Sequence, residues 1–164
     1  MISTFSQSSS FILNDDHIIH HKIEFNVENK KYTLITSQYR IPIGDYSKSI
    51  PAGMIDENGK IILTVLKEFK EEINPDFKIK QKDFKFLYNG FLSSGGSDEK
   101  MDVYIIEKTI TKKELKKYQG RITGSISENE EIKLEVKELE ELKKSNDIKT
   151  RLSYWEYINK KGKK

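Results

Sequence analysis

Three glutamates, Glu68, Glu71 and Glu72, close the segment KIILTVLKEFKEEIN at spacings i, i+3 and i+4. In a helix that spacing sets all three on one side. Like charges so placed repel by about 0.2–0.5 kcal/mol per pair, and carboxylates near a helix C-terminus also oppose the macrodipole. Something must offset this. Lys67 and Lys70 are one candidate and a bound divalent cation is the other. Hard oxygen donors select Mg²⁺ or Mn²⁺, ions that keep several waters and bridge to substrate phosphates. Taken alone, three glutamates also fit a plain solvated helix face.

The glutamates need a frame. Ile62, Val65, Leu66, Phe69 and Ile73 follow the 3.6-residue period, which predicts a helix with one buried stripe. Asn74 and Pro75 end it. Residues 21–40 alternate apolar and polar on both sides of VENKK and predict two antiparallel strands, the second delivering Gln38, Tyr39 and Arg40 at its end. IPIGDYSKSIPAG reads as a loop and a brief strand. FKFLYNGFL and MDVYIIEK read as strands on either side of the loop SSGGSDE, followed by a small helix at TKKELKKY. A polar loop then feeds the strand IKLEVK, and ELEELKKS and DIKTRLSYWEYIN read as two closing helices. In the last, Ile148, Leu152, Trp155 and Ile158 form the expected buried side, with Asp147 as the N-cap. The pattern predicts an α/β (α+β) fold in which helices cover the faces of one mixed sheet. A single domain is expected over residues 17–159, between a Ser-rich tail at 1–16 and a basic tail at 160–164.

At 164 residues and 35% hydrophobic, the chain can bury a real core, and its net charge of +3 is too small for a disordered polyelectrolyte. The absence of cysteine excludes disulfides and thiolate metal sites and suits a reducing compartment, so a cytoplasmic location is the default expectation. The first residues carry no charged leader followed by an apolar stretch, and no apolar run reaches the ~18 residues of a membrane span. The ending KKGKK lacks the aromatic-studded basic stripe that nucleic-acid binding needs, so no nucleic-acid partner is expected. Only three of the 29 basic residues are arginine, Arg40 among them, which marks positions where a planar fork is needed.

The segment PAGMIDENGKIILTVLKEFKEEIN resembles the Nudix box, G-x5-E-x7-R-E-U-x-E-E-x-G-U with U a bulky apolar residue. Counting from Gly53, Glu68, Phe69, Glu71 and Glu72 match, whereas Gly59, Lys67, Asn74 and Pro75 depart. Other pieces are similar, in the same order, to the ADP-ribose and nucleoside diphosphate-sugar pyrophosphatase branch: SQYR before PAG, SSGGSDE, SENEEI and DIKT.

The resemblance implies a Nudix-type α/β/α sandwich and a Mg²⁺-dependent hydrolase, with Mn²⁺ as the substitute ion. The substrate would be a small-molecule nucleoside diphosphate derivative such as ADP-ribose, cleaved to a nucleoside monophosphate and a sugar phosphate. It places the metal at Glu68, Glu71, Glu72 and the carbonyl of Ala52. It makes Glu128 the general base, with Glu130 and Glu131 in reserve, and puts substrate on Arg40, Ser97 and Glu99. It also implies a homodimer. The departures at Gly59 and Lys67 leave a second reading, a Nudix-fold module of weak or absent turnover that binds a nucleotide or protein partner.

Overall fold

A computed structural model describes residues 17–54, 61–73, 79–96, 99–124 and 131–162; within these ranges the side chains at 17–22, 54, 61, 62, 64, 68 and 72 stand outside the description. The chain runs β1 (His17–Val27), β2 (Lys30–Arg40), β3 (Asp45–Ser49), β4 (Ala52–Met54), α1 (Ile61–Glu72), β5 (Phe84–Phe91) and β6 (Lys100–Thr109). It continues through α2 (Lys112–Lys116), β7 (Ile122–Thr123), β8 (Ile132–Glu138), a 3₁₀ helix (Leu139–Lys144) and α3 (Ile148–Gly162). The strands form one mixed sheet in the order β5-β6-β1-β2-β8-β7, with β3 on β2 and β4 on β1. β1 and β6 are parallel and the other pairings are antiparallel.

Period-2 alternation divides the strand side chains between two cores. Ile23, Phe25 and Leu34 meet Val65 and Phe69 of α1 and Ile73 just beyond it on one face. On the other, Ile35, Val103 and Ile105 meet Leu139, Leu142, Tyr154 and Tyr157. The sandwich with a mixed sheet is the architecture expected from the sequence. The β1–β2 turn is made by Glu28 and Asn29, both at positive φ (49° and 66°), the conformation whose twist matches a two-residue hairpin.

Two expectations are corrected. ELEELKKS forms a 3₁₀ helix, not an α-helix, and its three-residue period stacks Leu139 and Leu142 into the core. In α3 the buried side is Thr150, Ser153, Tyr154 and Tyr157, with Ile158 packed beside it. Ile148, Leu152 and Trp155 are 69%, 37% and 48% exposed. Tyrosines and hydroxyls bury here because their polar ends are met. Tyr154 donates to Glu140, Ser153 to the Thr150 carbonyl, and Tyr157 to the buried Glu24. Lys160 and Lys161 belong to α3, where Lys160 donates to the Phe86 and Leu87 carbonyls of the edge strand β5.

Around Tyr157 the charges are layered. Lys31 lies 3.1 Å from Glu24 and donates to the Tyr157 hydroxyl at 2.7 Å. Glu107, 3.1 Å from the same hydroxyl, receives Lys161 at 2.6 Å and Lys85 at 3.1 Å. Burial pushes the Glu107 carboxyl up, but the hydrogen bonds from Lys161, Lys85 and Tyr157 outweigh it and hold the group down at about 2, against an ordinary 4.5. A depressed carboxylate stabilises the fold above its unfolded value and loses that contribution as pH falls toward the folded one. The melting-temperature gap between wild type and Glu107→Gln is therefore expected to be full at pH 7 and to close between pH 4.5 and 2. A gap that stays constant through that range would remove the network's contribution. Tyr157→Phe, which leaves Glu24 short of a donor, is expected to cost about 1–3 kcal/mol in denaturant unfolding.

Candidate functional site at one end of the sheet

The topology brings several of the sequence-selected positions toward one end of the sheet. β1 starts where β2 ends, because the two are antiparallel. β6 starts at that same end, because it runs parallel to β1, and so does β8, antiparallel to β2. Arg40 closes β2, Glu99 immediately precedes β6, and the segment holding Glu128 precedes β8. Ala52 of β4 is paired with His20 near the start of β1, and α1 follows β4 and packs on β1 and β4. The site is thus a convergence of strand ends beside one helix.

The sheet forks to make this end. The last β1–β2 pair is Glu24 with Thr33; upstream, β1 takes β4 as its neighbour from His20 to Ile18, while β2 takes β3 from Thr36 to Arg40. Thr33, fully buried, donates its hydroxyl to the Ile23 carbonyl at 2.6 Å at the fork. Beyond Arg40 the chain makes one 3₁₀ turn, Ile41–Ile43, closed by Gly44 at φ 65°, whose N–H donates to the Arg40 carbonyl at 3.0 Å. That left-handed turn sends β3 back so that Asp45 stands opposite Arg40.

Arg40 is exposed, and its guanidinium forms no ion pair with any described residue. Glu71 on α1 is also exposed, and neither Lys67 nor Lys70 pairs with it. Among the described residues, then, the lysines do not neutralise the acidic side of α1. Glu99 is half-buried, its carbonyl accepting the Leu92 N–H at 3.1 Å across the base of the loop. Glu68 and Glu72 lie within α1 with side chains outside the description, and Ser97, Glu128 and Glu130 lie outside the described residues. Glu131, exposed, stands just before β8. Among the described residues no three His, Asp or Glu side chains cluster as a metal site. The donors assigned to a metal, three carboxylates and a main-chain carbonyl, are all hard oxygens, the set that suits Mg²⁺.

Two residues were not singled out in the sequence. Asp102 is buried at 5% exposure on β6, in register with Ile19 of β1, which in turn faces Gly53 of β4. It alternates with Tyr104 and Ile106, so it lies on the α1 side, and its charge together with burial pushes the Tyr104 hydroxyl up. A lone acid inside the apolar alternation of MDVYIIEK was the available signal. The second is Thr150. Its hydroxyl accepts the buried Ile50 N–H at 2.8 Å, which ties α3 to the residues leading into Ala52. Asp147 caps α3 through the Thr150 N–H at 2.7 Å and holds Lys149 at 3.3 Å, which gives the D-x-K-T spacing its physical basis.

No family model matches the chain. A curated relative, "Nudix hydrolase 14, chloroplastic" of Arabidopsis thaliana, is 32% identical over 137 residues, covering 77% of this chain. The chain spans 44% of that relative's length. Among solved structures, a C. elegans Ap4A hydrolase in a binary complex superposes with a TM-score of 0.63 at 14% identity, over 91% of this chain and 99% of that one. An ADP compounds hydrolase gives 0.63 at 13% identity over 92% and 75%. At such identities the two solved structures establish the fold. Among the described residues no helix is long and apolar enough to cross a membrane.

Removing the Thr150 hydroxyl tests the tie to the site. Thr150→Val is expected to strand the Ile50 N–H and lower stability by about 1–3 kcal/mol, and Thr150→Ser to restore most of it. Urea unfolding of the three proteins reads the result; equal midpoints would show that the bond does not hold the segment.

Proposed function

We propose, from the premise that its curated relative and its fold place this chain with the Nudix hydrolases, that it cleaves the diphosphate linkage of a nucleoside diphosphate derivative. ADP-ribose and nucleoside diphosphate-sugars are the preferred class. The observation that carries this reading is the sheet fork, where β4 with Ala52 pairs with β1 and packs against α1 while β2 runs on to Arg40 at the same end of the sheet. The diphosphate needs its oxygens neutralised, a water placed in line, and that water's proton removed.

Arg40 suits the first demand as an exposed, permanently charged fork without an ion pair to any described residue. Glu68, Glu71, Glu72 and the Ala52 carbonyl are the residues that would hold Mg²⁺, which supplies further charge neutralisation at the diphosphate when bound. Glu128 is assigned as the base that takes the water's proton as the water oxygen bonds to one phosphorus and the bridging P–O bond breaks. The electrons of that bond leave with the second phosphate, giving a nucleoside monophosphate and a sugar phosphate. Ser97 and Glu99 are assigned to the substrate's remaining polar groups. The default compartment for this reading is the cytoplasm, and the protein is taken to act as a homodimer.

A second reading is favoured by one observation. The box arginine is Lys67 here, exposed and without an ion pair to any described residue, and Gly59 stands where its partner glutamate would be. A chain that has lost this brace would bind nucleotide with little turnover.

Incubation with ADP-ribose, UDP-glucose, GDP-mannose and dinucleoside polyphosphates in Mg²⁺ or Mn²⁺ separates the two readings. Hydrolysis of at least one diphosphate is expected, and binding without hydrolysis across the panel would favour the module. Glu72→Gln is expected to lower turnover about a hundredfold or more with little loss of stability. Glu128→Gln is expected to slow kcat by a similar factor while sparing Mg²⁺ affinity. Arg40→Ala is expected to raise KM more than it lowers kcat. An unchanged rate in Glu72→Gln would remove the metal assignment.

A further inference from the structure

A groove of about 630 Å³ runs between β3 and the start of α3. It opens on the α3 side of the sheet, since Ile35 on its floor belongs to the α3 core, whereas the adjacent Leu34 belongs to the α1 core. The glutamate helix covers the opposite face. The floor is Ile35, Leu142 and Thr150, all buried. One wall is Tyr46, 62% exposed, whose ring meets Tyr39 edge to face with centroids 5.6 Å apart and planes at 77°. That contact fixes the ring's orientation while leaving it open to a ligand.

The charged rim is mostly committed. Lys48 lies 2.8 Å from Glu135, and Lys137 sits between Glu135 and Glu141. Asp45 accepts the Tyr46 N–H, and Asp147 is held by the amide of Thr150 and by Lys149. Two lining side chains differ. Lys144 and Asn146 make no hydrogen bond or ion pair with any described residue. A ring with an open face, an amide offering both donor and acceptor, and an uncommitted ammonium therefore stand around an apolar floor.

We propose that this groove binds a nucleoside monophosphate, with the base against Tyr46 over Ile35 and Leu142, the base edge at Asn146 and the phosphate at Lys144. An anion without a ring would leave the apolar floor unused, and an apolar ligand would leave the ammonium unmatched. The rim carries as many carboxylates (Asp45, Glu141, Asp147) as lysines (Lys48, Lys137, Lys144), which is a poor match for a nucleic-acid backbone. The groove lies beside the strand end that bears Arg40 but opens on the face of the sheet opposite α1, and its occupancy does not depend on hydrolysis.

The test is titration of AMP into the 164-residue Glu72→Gln protein in EDTA, followed by amide chemical shifts and calorimetry, with adenosine and ribose 5-phosphate as the two fragments. AMP is expected to bind more tightly than either fragment and to shift amides at β3 and at the start of α3. Tyr46→Ala and Lys144→Glu are each expected to weaken it about tenfold without moving the melting temperature, and Arg40→Ala to leave it unchanged. Failure of AMP to saturate at millimolar concentration would overturn the proposal. So would AMP binding that Arg40→Ala abolishes and Tyr46→Ala spares, which would put the nucleotide at the other face and leave the hydrolase reading standing. Absence of turnover by the wild type, with AMP still dependent on Tyr46, would sink the hydrolase reading alone.

Discussion

Everything at the functional end depends on β1 having two different neighbours on one edge. Downstream it is hydrogen-bonded to β2, and upstream to β4, so the sheet must open between Thr33 and the start of β4. An opening sheet strands main-chain groups, and buried ones are costly unless paired. Side-chain hydroxyls meet the need: Thr33 donates to the Ile23 carbonyl, Thr36 to the Ser49 carbonyl, and Thr150 accepts from Ile50. The fork is thereby held open by groups that neither fray nor hydrate. It lets β2 run on to Arg40 while β4 brings Ala52 alongside β1.

The two cores solve the problem of polarity differently. The α1 side is mostly hydrocarbon, with Val65, Phe69 and Ile73 filling it against β1 and β2. On the α3 side, phenols and small hydroxyls are interleaved with aliphatics, and each polar end is directed to a carboxylate or carbonyl. The Tyr157 hydroxyl between Glu24 and Glu107 is the extreme case, where three lysines complete the charge balance around two acids. Such a network fixes the angle of α3 on the sheet, because displacing the helix would take the Tyr157 hydroxyl away from a fully buried carboxylate. The same helix begins at Asp147 and Thr150, so its placement is transmitted to the Ile50–Ala52 segment.

The charge on α1 is the counterpart. An exposed Glu71 with Lys67 and Lys70 just before it in sequence, yet paired to neither, shows that sequence proximity did not become charge compensation. Lys70, adjacent to Glu71, points about 100° away from it, and Lys67, one turn back on the same side, gains little from surface pairing in water. Glu71 and Arg40, both exposed and both without an ion pair among the described residues, are suited to a cation and an anion arriving together.

Much of this was legible beforehand. The alternation on either side of VENKK, the apolar stripe of α1 and the Asp147 cap are local patterns, set by the period of the backbone and by which side chains reach its first amides. The spacing of the glutamates and the Q-Y-R ending of β2 were equally local, and they selected the candidate site. The side of α3 that is buried was not legible, because Ile148, Leu152 and Trp155 outrank Thr150, Ser153 and the tyrosines on any apolar count, and only the presence of Glu24, Glu140 and Ile50 across the interface makes the polar side the one that packs. Nor could the chain announce the fork or the groove beside Tyr46. The sequence by itself determined the elements and the kinds of chemistry they carry, since both follow from residues near one another along the backbone. Which strand ends meet, and which polar groups can be buried because a partner waits for them, was decided only by tertiary contacts between residues up to 133 positions apart.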